Sequence, residues 1–264
     1  MDITLGDVQT TALIPLAIKA NETMSKKPRI KDEKAVEIIK ALGIDTKPYD
    51  KFMSHEGVVA RTIMLDKQLK DLIKKNPNAC IVNIGAGFDN RFSRVDNGEI
   101  LWFDLDLPDS ISARKKAFAN QDRVTMIAGS ALDNDWCDVV KNSIQAENRK
   151  IIFIAEGLFM YFTIEQIKSF MMILKNNFSN GILIAEQNAK FMVKNEKYHD
   201  TVKKTNAQFL SGTDSGQEIA DLVDGVRLVE EHSFNEEMKK YSIRAKIFAK
   251  CFPTFNNRWA TFEW

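Results

Sequence analysis

Residues 79–108, ACIVNIGAGFDNRFSRVDNGEILWFDLDLP, decide the fold of this chain. Ala79 to Ile84 is a short apolar run without alternation, the pattern of a strand covered on both faces of a parallel sheet. Pro77 and Asn78 mark the turn before it. Gly85, Ala86 and Gly87 follow at once, where a turn leaving the C-terminal end of a strand needs positive φ or close backbone approach. A second strand, Ile100 to Leu105, is entered through Asn97 and Gly98, and Asp104 and Asp106 lie at its far end. Pro108 suits the first turn of the helix that follows. Strand, glycine turn, crossing and strand-end acid form the front half of a nucleotide-type site, where a carboxylate accepts two hydrogen bonds from a ribose diol.

A dinucleotide fingerprint wants a third glycine three residues after Gly87, and that position is Asn90, followed by Arg91. The close helix approach under a pyrophosphate is missing. A ribose-bearing cofactor without a diphosphate is expected instead, and S-adenosylmethionine fits that description. Side chains 104 and 106 share a face only if the strand continues through both. One of the two acids is expected to be functional and the other a solvated strand-end acid.

Outward from this stretch, residues 1–78 read as a helical segment. Asp32 is a good N-cap for an apolar face of Ala35, Val36, Ile38, Ile39 and Leu42, with Gly43 as the stop. A second amphipathic helix runs from about Ser54 to Lys75. From residue 79 strands and helices alternate, which implies a parallel sheet. Arg123 to Ala128, Lys150 to Ala155 and Ile182 to Glu186 are its third, fourth and fifth strands, with a helix near Trp136 to Ile144 between the first two of these. Thr163 and Gln166 form a capping box for the helix before the fifth strand. Residues 188–225 are polar and interrupted by Gly and Ser, as in an insertion that covers a site. VRLVEEHSF and RWATFEW in 226–264 read as two closing strands. The whole is expected to be one domain with its cofactor core at 79–187.

Composition excludes some partners. The 37 Lys and Arg nearly balance the 36 Asp and Glu, for a net charge of +1, so no basic field is present to hold nucleic acid. The apolar run IIFIAEGLFMYF is interrupted by Glu156 and too short to span a bilayer. Cys80, Cys137 and Cys251 lack CxxC spacing and read as reduced, mostly packed thiols. No secretory leader pattern is visible, and a cytoplasmic protein without membrane partners is expected. His55, His199 and His232 show no metal spacing, so no metal is expected. His199, in the insertion, is the one histidine singled out as a pocket candidate.

Three ordered motifs, VNIGAGFDNRF, WFDLDLP and IAEGLFMYFTIEQI, resemble the leucine carboxyl methyltransferase family. TALIPLAIKANET, DEKAVEII and the closing NNRWATFEW are similar to the bacterial polyketide-type O-methyltransferase branch, so the resemblance runs from about residue 10 onward. It implies a Rossmann-like class I methyltransferase, with a mostly parallel seven-stranded sheet, helices on both faces and an antiparallel final pair. It also implies S-adenosyl-L-methionine as cofactor and S-adenosyl-L-homocysteine as product. Gly85, Ala86 and Gly87 would pass under the cofactor, and Asp106 lies where the family places its ribose acid, with Asp104 the alternative. Ala131 and Leu132 would flank the adenine. Ala131 stands where many members carry an acid, which leaves the adenine hydrogen bond to backbone groups or to Asp133. Glu156 would contact the cofactor and Arg61 would pair with its carboxylate. Lys19 is a second basic candidate, or an ordinary surface lysine. Tyr161 would line the acceptor pocket or serve as a core aromatic. Arg91 and Arg94 are expected to brace the loop by ion pairs.

The reading that follows is methyl transfer to a carboxylate or hydroxyl of a small metabolite or peptide. Two other readings stand beside it: a nicotinamide oxidoreductase on a similar fold, and a cofactor-binding module without turnover. The acceptor and the oligomeric state are not legible in the sequence.

Overall fold

The computed structural model describes residues 11–144, 149–194, 208–251 and 256–264. Among the described residues three helices precede the sheet: α1 (Leu13–Thr23), α2 (Glu33–Leu42) and α3 (Phe52–Lys75). Asp32 caps α2 as its sequence implies, its side chain accepting from Ala35 N at 3.0 Å. Then follow β1 (Cys80–Ile84), α4 (Arg91–Val95), β2 (Leu101–Asp106), α5 (Pro108–Ala117), β3 (Val124–Ala128), α6 (Asp135–Ile144) and β4 (Ile151–Ala155). After a short 3-10 turn, Phe159–Tyr161, come α7 (Ile164–Asn177) and β5 (Gly181–Gln187). The expected capping box of Thr163 and Gln166 is formed at the start of α7. Short helices α8 (Lys190–Lys194) and α9 (Gln217–Ala220) precede β6 (Arg227–Ser233), and α10 (Asn235–Met238) and α11 (Ile243–Cys251) precede β7 (Arg258–Glu263).

The seven strands form one sheet in the order β3-β2-β1-β4-β5-β7-β6. The first five are parallel neighbours, and β7 enters antiparallel between β5 and β6. The alternating pattern implies the parallel strands of this sheet, and the family resemblance implies the Rossmann-like methyltransferase topology with its antiparallel final pair. Order reverses at β1, which pairs with β2 on one side and β4 on the other, so the crevice of an open α/β sheet opens above β1.

β1, β4 and β5 are buried at every position, which explains their unbroken apolar runs. Alternate side chains feed two cores. Val82, Ile84, Phe103, Phe153 and Leu183 pack with α6 and α7 on one face. Ile81, Trp102, Ile152, Ile154 and Ile184 pack with α3 and α4 on the other. A third cluster joins α1 and α2 to α5 and to Phe88 beside the glycine turn. Of the tail aromatics, Trp259 and Phe262 are core residues and the Trp264 ring stacks on Phe153 at 5.9 Å, whereas Phe252 and Phe255 lie outside the described residues. Cys80 and Cys137 are buried and Cys251 is exposed. Among the described residues no helix is long and apolar enough to cross a membrane.

α1 is held against α3 by a cluster of charges. Arg29 donates to Glu22 and Glu56, and His55 lies between two carboxylates, Nδ1 at 2.7 Å from Asp50 and Nε2 at 2.9 Å from Glu22. A neutral imidazole has one N–H, so two carboxylate partners call for the imidazolium. Burial lowers the His55 pKa, but the hydrogen bonds of Asp50 and Glu22 outweigh it and the net direction is upward. Burial likewise raises Glu22, yet Arg29 and His55 bring it down to about 2. The stabilisation from His55 is therefore complete below its unfolded pKa, about 6.5, and is lost as pH rises through the higher folded value. The thermal midpoint should fall as pH is raised from about 6 to about 9, and in His55→Gln that part of the profile should be flatter. Calorimetric melts across this range check it; an unchanged slope in the variant would remove His55 as the cause.

Candidate active site

A cavity of about 590 Å³ opens above the C-terminal edge of the sheet. Thr11, Ala12, Ile14, Pro15 and Lys19 from the N-terminal segment form part of its wall, so α1 covers it. The glycine turn forms another part. Gly85 and Gly87 have φ of +71° and +47°, a region that L side chains rarely adopt, and a Cβ at Gly87 would lie 3.2 Å from Ala12. The turn is clamped from below. Gly85 N and Ala86 N both donate to Leu105 O, at 2.8 and 3.2 Å.

β2 runs through both acids, and the structure separates their roles. Asp106 reaches the cavity wall, where Oδ2 accepts from Gly87 N and Oδ1 from Leu107 N, each at 2.7 Å. A carboxylate offers about four lone-pair sites, which leaves acceptor capacity for a ligand diol. Burial raises the Asp106 pKa, and the Gly87 and Leu107 amides hold that rise back only in part. Asp104 does not line the cavity and is not a solvated strand-end acid. It is fully buried and accepts from Arg114 Nε and Nη2, Trp102 Nε1 and Asn83 Nδ2. The same Arg114 donates through Nη1 to Gly87 O at 3.0 Å, so Asp104 acts on the turn through Arg114.

Arg91 has no solvent exposure and binds three carboxylates: Asp66 of α3 at 2.7 Å, Asp89 of the turn at 2.5 Å and Glu156 after β4 at 2.5 Å. Arg94 adds bonds to Asp66 and Asp32. The bracing expected of this pair is present, and it extends to the wall of the site. Lys19 is 2% exposed and pairs with Asp89 at 2.9 Å, so it is a buried wall residue and not a surface lysine. Burial opposes ionisation of Asp89, but Arg91, Lys19 and Arg94 together carry its pKa far below the usual carboxylate range. In Glu156 burial again opposes, and Arg91 and Arg61 prevail to lower its pKa.

Arg61 reaches across to two acids. Its Nη1 donates to Glu186 at 2.9 Å, and its Nε lies 2.8 Å from Glu156 Oε1 in an ion pair that lacks hydrogen-bond geometry. Of the five guanidinium donors, one is used in a hydrogen bond among the described residues, which leaves capacity for a ligand carboxylate. Glu186 also accepts from Gly157 N and Asn257 Nδ2, each at 2.9 Å.

Ala131 lines the cavity beside Ser130 and Gly129, while Leu132 packs against the core under the sheet. Asp133 is not on the wall. Tyr161 is half-buried on the wall and packs on Phe209, with ring centroids 6.0 Å apart, so it is not a core aromatic. His199 lies outside the described residues. Glu186 was not singled out by the sequence reading. Its signal, an acid closing the apolar run ILIAEQ, is the same one that marks Glu156 after IIFIA. Asn257 and Asp66 carry no such signal. Among the described residues no cluster of His, Cys, Asp or Glu could hold a metal ion.

Fold and site together define a Rossmann-like S-adenosylmethionine-dependent methyltransferase. The glycine turn, a strand-end carboxylate with free acceptor capacity and a cation with unused donors fit the ribose and the amino-acid part of that cofactor. Residues 12–174 match the leucine carboxyl methyltransferase family, and the chain belongs to that family. It is similar to the tetracenomycin polyketide synthesis O-methyltransferase TcmP of Streptomyces glaucescens, 24% identical over 88% of this chain and 84% of that protein. Among solved structures it resembles a DUF574 family protein from Streptomyces avermitilis, with TM-score 0.57 and 12% identity over 94% of this chain and 95% of that one. It also resembles magnesium protoporphyrin IX methyltransferase from Synechocystis with bound S-adenosyl-L-homocysteine, with TM-score 0.51 and 11% identity over 88% and 99%. At these identities the structures speak to the fold.

Replacing Arg91 by Met should remove the cation that Asp66, Asp89 and Glu156 share, with Arg94, Lys19 and Arg61 left beside them, at a cost of about 3–5 kcal/mol. Urea unfolding of the variant measures it, and a loss below about 1 kcal/mol would mean that water reaches the acids after all.

Proposed function

We propose that this protein transfers a methyl group to an oxygen, carboxylate or hydroxyl, of a small-molecule acceptor. The observation that carries the reading is the composition of the cavity along the sheet edge. At the β1–β3 end stand the glycine turn, Asp106 and Ser130; at the β4–β7 end stand Met160, Tyr161, Met192, Phe209 and Phe234. A charged cofactor suits the first end and a largely apolar acceptor the second. The similarity to a polyketide O-methyltransferase across most of both chains supports an acceptor of that kind.

When bound, the cofactor supplies a methyl group on a sulfonium, already an excellent leaving group. The protein is then asked chiefly for alignment and proximity. Asp106 would hold the ribose, Gly85 and Gly87 would let the backbone approach, and Arg61 and Lys19 would meet the cofactor carboxylate. Glu156 would orient Arg61. Ala131 offers no carboxylate to the adenine, so backbone groups near Ser130 would hydrogen-bond it instead. A carboxylate acceptor is ionised at neutral pH and needs no base, whereas a phenol benefits from one.

Isothermal titration with S-adenosylmethionine and S-adenosylhomocysteine tests this. Binding in the micromolar range, about −8 kcal/mol, is expected for the intact protein. Asp106→Ala should weaken it by about 1.5–3 kcal/mol, the worth of hydrogen bonds to a charged group. Failure of the intact protein to bind either compound would overturn the reading.

A further inference from the structure

Gly57 and Asn188 are cavity residues that the cofactor end does not use. Gly57 lies inside the 24-residue helix α3, where alanine would be more stable than glycine. Its φ is not positive, and a Cβ there would meet nothing within 4 Å. Neither backbone conformation nor packing calls for a glycine at this position. Because Gly57 is part of the cavity wall, what its missing side chain preserves is open volume.

Asn188 is the first residue past β5, is 2% exposed and lines the same cavity. Its carbonyl accepts from Thr213 N, but its side-chain Nδ2 is buried without a hydrogen-bond partner among the described residues. A buried amide left unpaired is costly and uncommon in a native fold. The χ2 torsion of Asn is broad and roughly two-fold, so a half-turn about it exchanges the donor and the acceptor presented to a ligand.

Both flank one tie between α3 and the end of β5, the Arg61–Glu186 pair. β5 stands two strands from β1, about 10 Å at ordinary strand spacing, which sets Asn188 beyond the glycine turn. The Arg61–Glu186 ion pair, 2.9 Å, ties the two elements together at this place. Gly57 precedes Arg61 by four residues and so shares its helix face; Asn188 follows Glu186 by two. Both cations of the described wall are already paired, Lys19 with Asp89 and Arg61 with Glu156 and Glu186. The polar group left over here is a neutral carboxamide.

We propose that Asn188 and Gly57 form the acceptor subsite. The Asn188 carboxamide holds an uncharged oxygen function of the acceptor, a hydroxyl or a carbonyl, and Gly57 keeps clear the space for its flat apolar body. The assignment rests on the methyltransferase reading and adds the residues that select the acceptor. Asn188 is a positioning residue, and so is Gly57.

The test uses the full chain saturated with S-adenosylhomocysteine and titrated with 2-naphthol and 2-hydroxyanthraquinone. The intact protein should bind at least one of the two. Asn188→Ala and Gly57→Ala should each take S-adenosylhomocysteine within about twofold of the intact protein. Their affinity for the hydroxyarene should fall roughly 3- to 10-fold, the scale of one neutral hydrogen bond. Gly57→Ala should also melt no lower than the intact protein, an outcome that a packing role would not give. Unchanged hydroxyarene affinity in both variants, or no hydroxyarene binding by the loaded intact protein, overturns the proposal. If the intact protein does not take S-adenosylhomocysteine, the methyltransferase reading falls, and this subsite falls with it.

Discussion

The desolvated charge of Arg91 is the constraint around which the site is arranged. Taking a guanidinium out of water is unfavourable by several kcal/mol even after relaxation, and only close, well-directed acids offset that. The acids that do so come from three separate elements: Asp66 from the long helix α3, Asp89 from the glycine turn and Glu156 from the end of β4. Satisfying one cation therefore fixes the turn relative to the helix above it and the strand beside it. Arg114 works from the other side, anchored on Asp104 and donating to the Gly87 carbonyl. The turn is held between two arginines before any ligand arrives, which is the preorganisation that a binding loop needs.

The same charges divide the cavity. Lys19, Asp89, Asp106 and Glu156 stand around the ends of β1, β2 and β4, and Arg61 joins Glu156 to Glu186 at the end of β5; beyond that pair Met192, Phe209 and Phe234 make the wall apolar and aromatic, with isolated amides. A low-dielectric wall strengthens electrostatic contacts at the polar end, and it lets the apolar end gain from burial of a hydrocarbon surface. α1 contributes to both, through Lys19 at one end and Ile14 at the other. Its docking on α3 therefore bears on both ligands at once.

Much of this was legible in the residues. Unbroken apolar runs announced the doubly covered strands, and Asp32 and the Thr163–Gln166 pair announced helix starts. Three things were not legible, each for a physical reason. Asp104 and Asp106 have the same local pattern, and only the tertiary arrival of Arg114 makes one of them structural. Lys19 looks like a helix-surface lysine until Asp89, from a distant turn, comes to meet it. Leu132 follows the third strand as closely as Ala131 does, but the chain turns its side chain under the sheet. Periodicity reports which face is covered; it is silent on which charges meet across seventy residues of chain.

The position of β7 has a consequence for how the molecule acquires its shape. It is the strand that follows all others in the sequence, yet it lies inside the sheet, between β5 and β6. Until residues 258–263 arrive, β5 carries an apolar strand with one unpaired edge, and β6 has no neighbour. Pairings across such sequence separations close slowly, because loop entropy is lost before contacts compensate. A chain in which residues 258–263 have yet to dock would leave the GILIAEQ edge open to pairing with another strand.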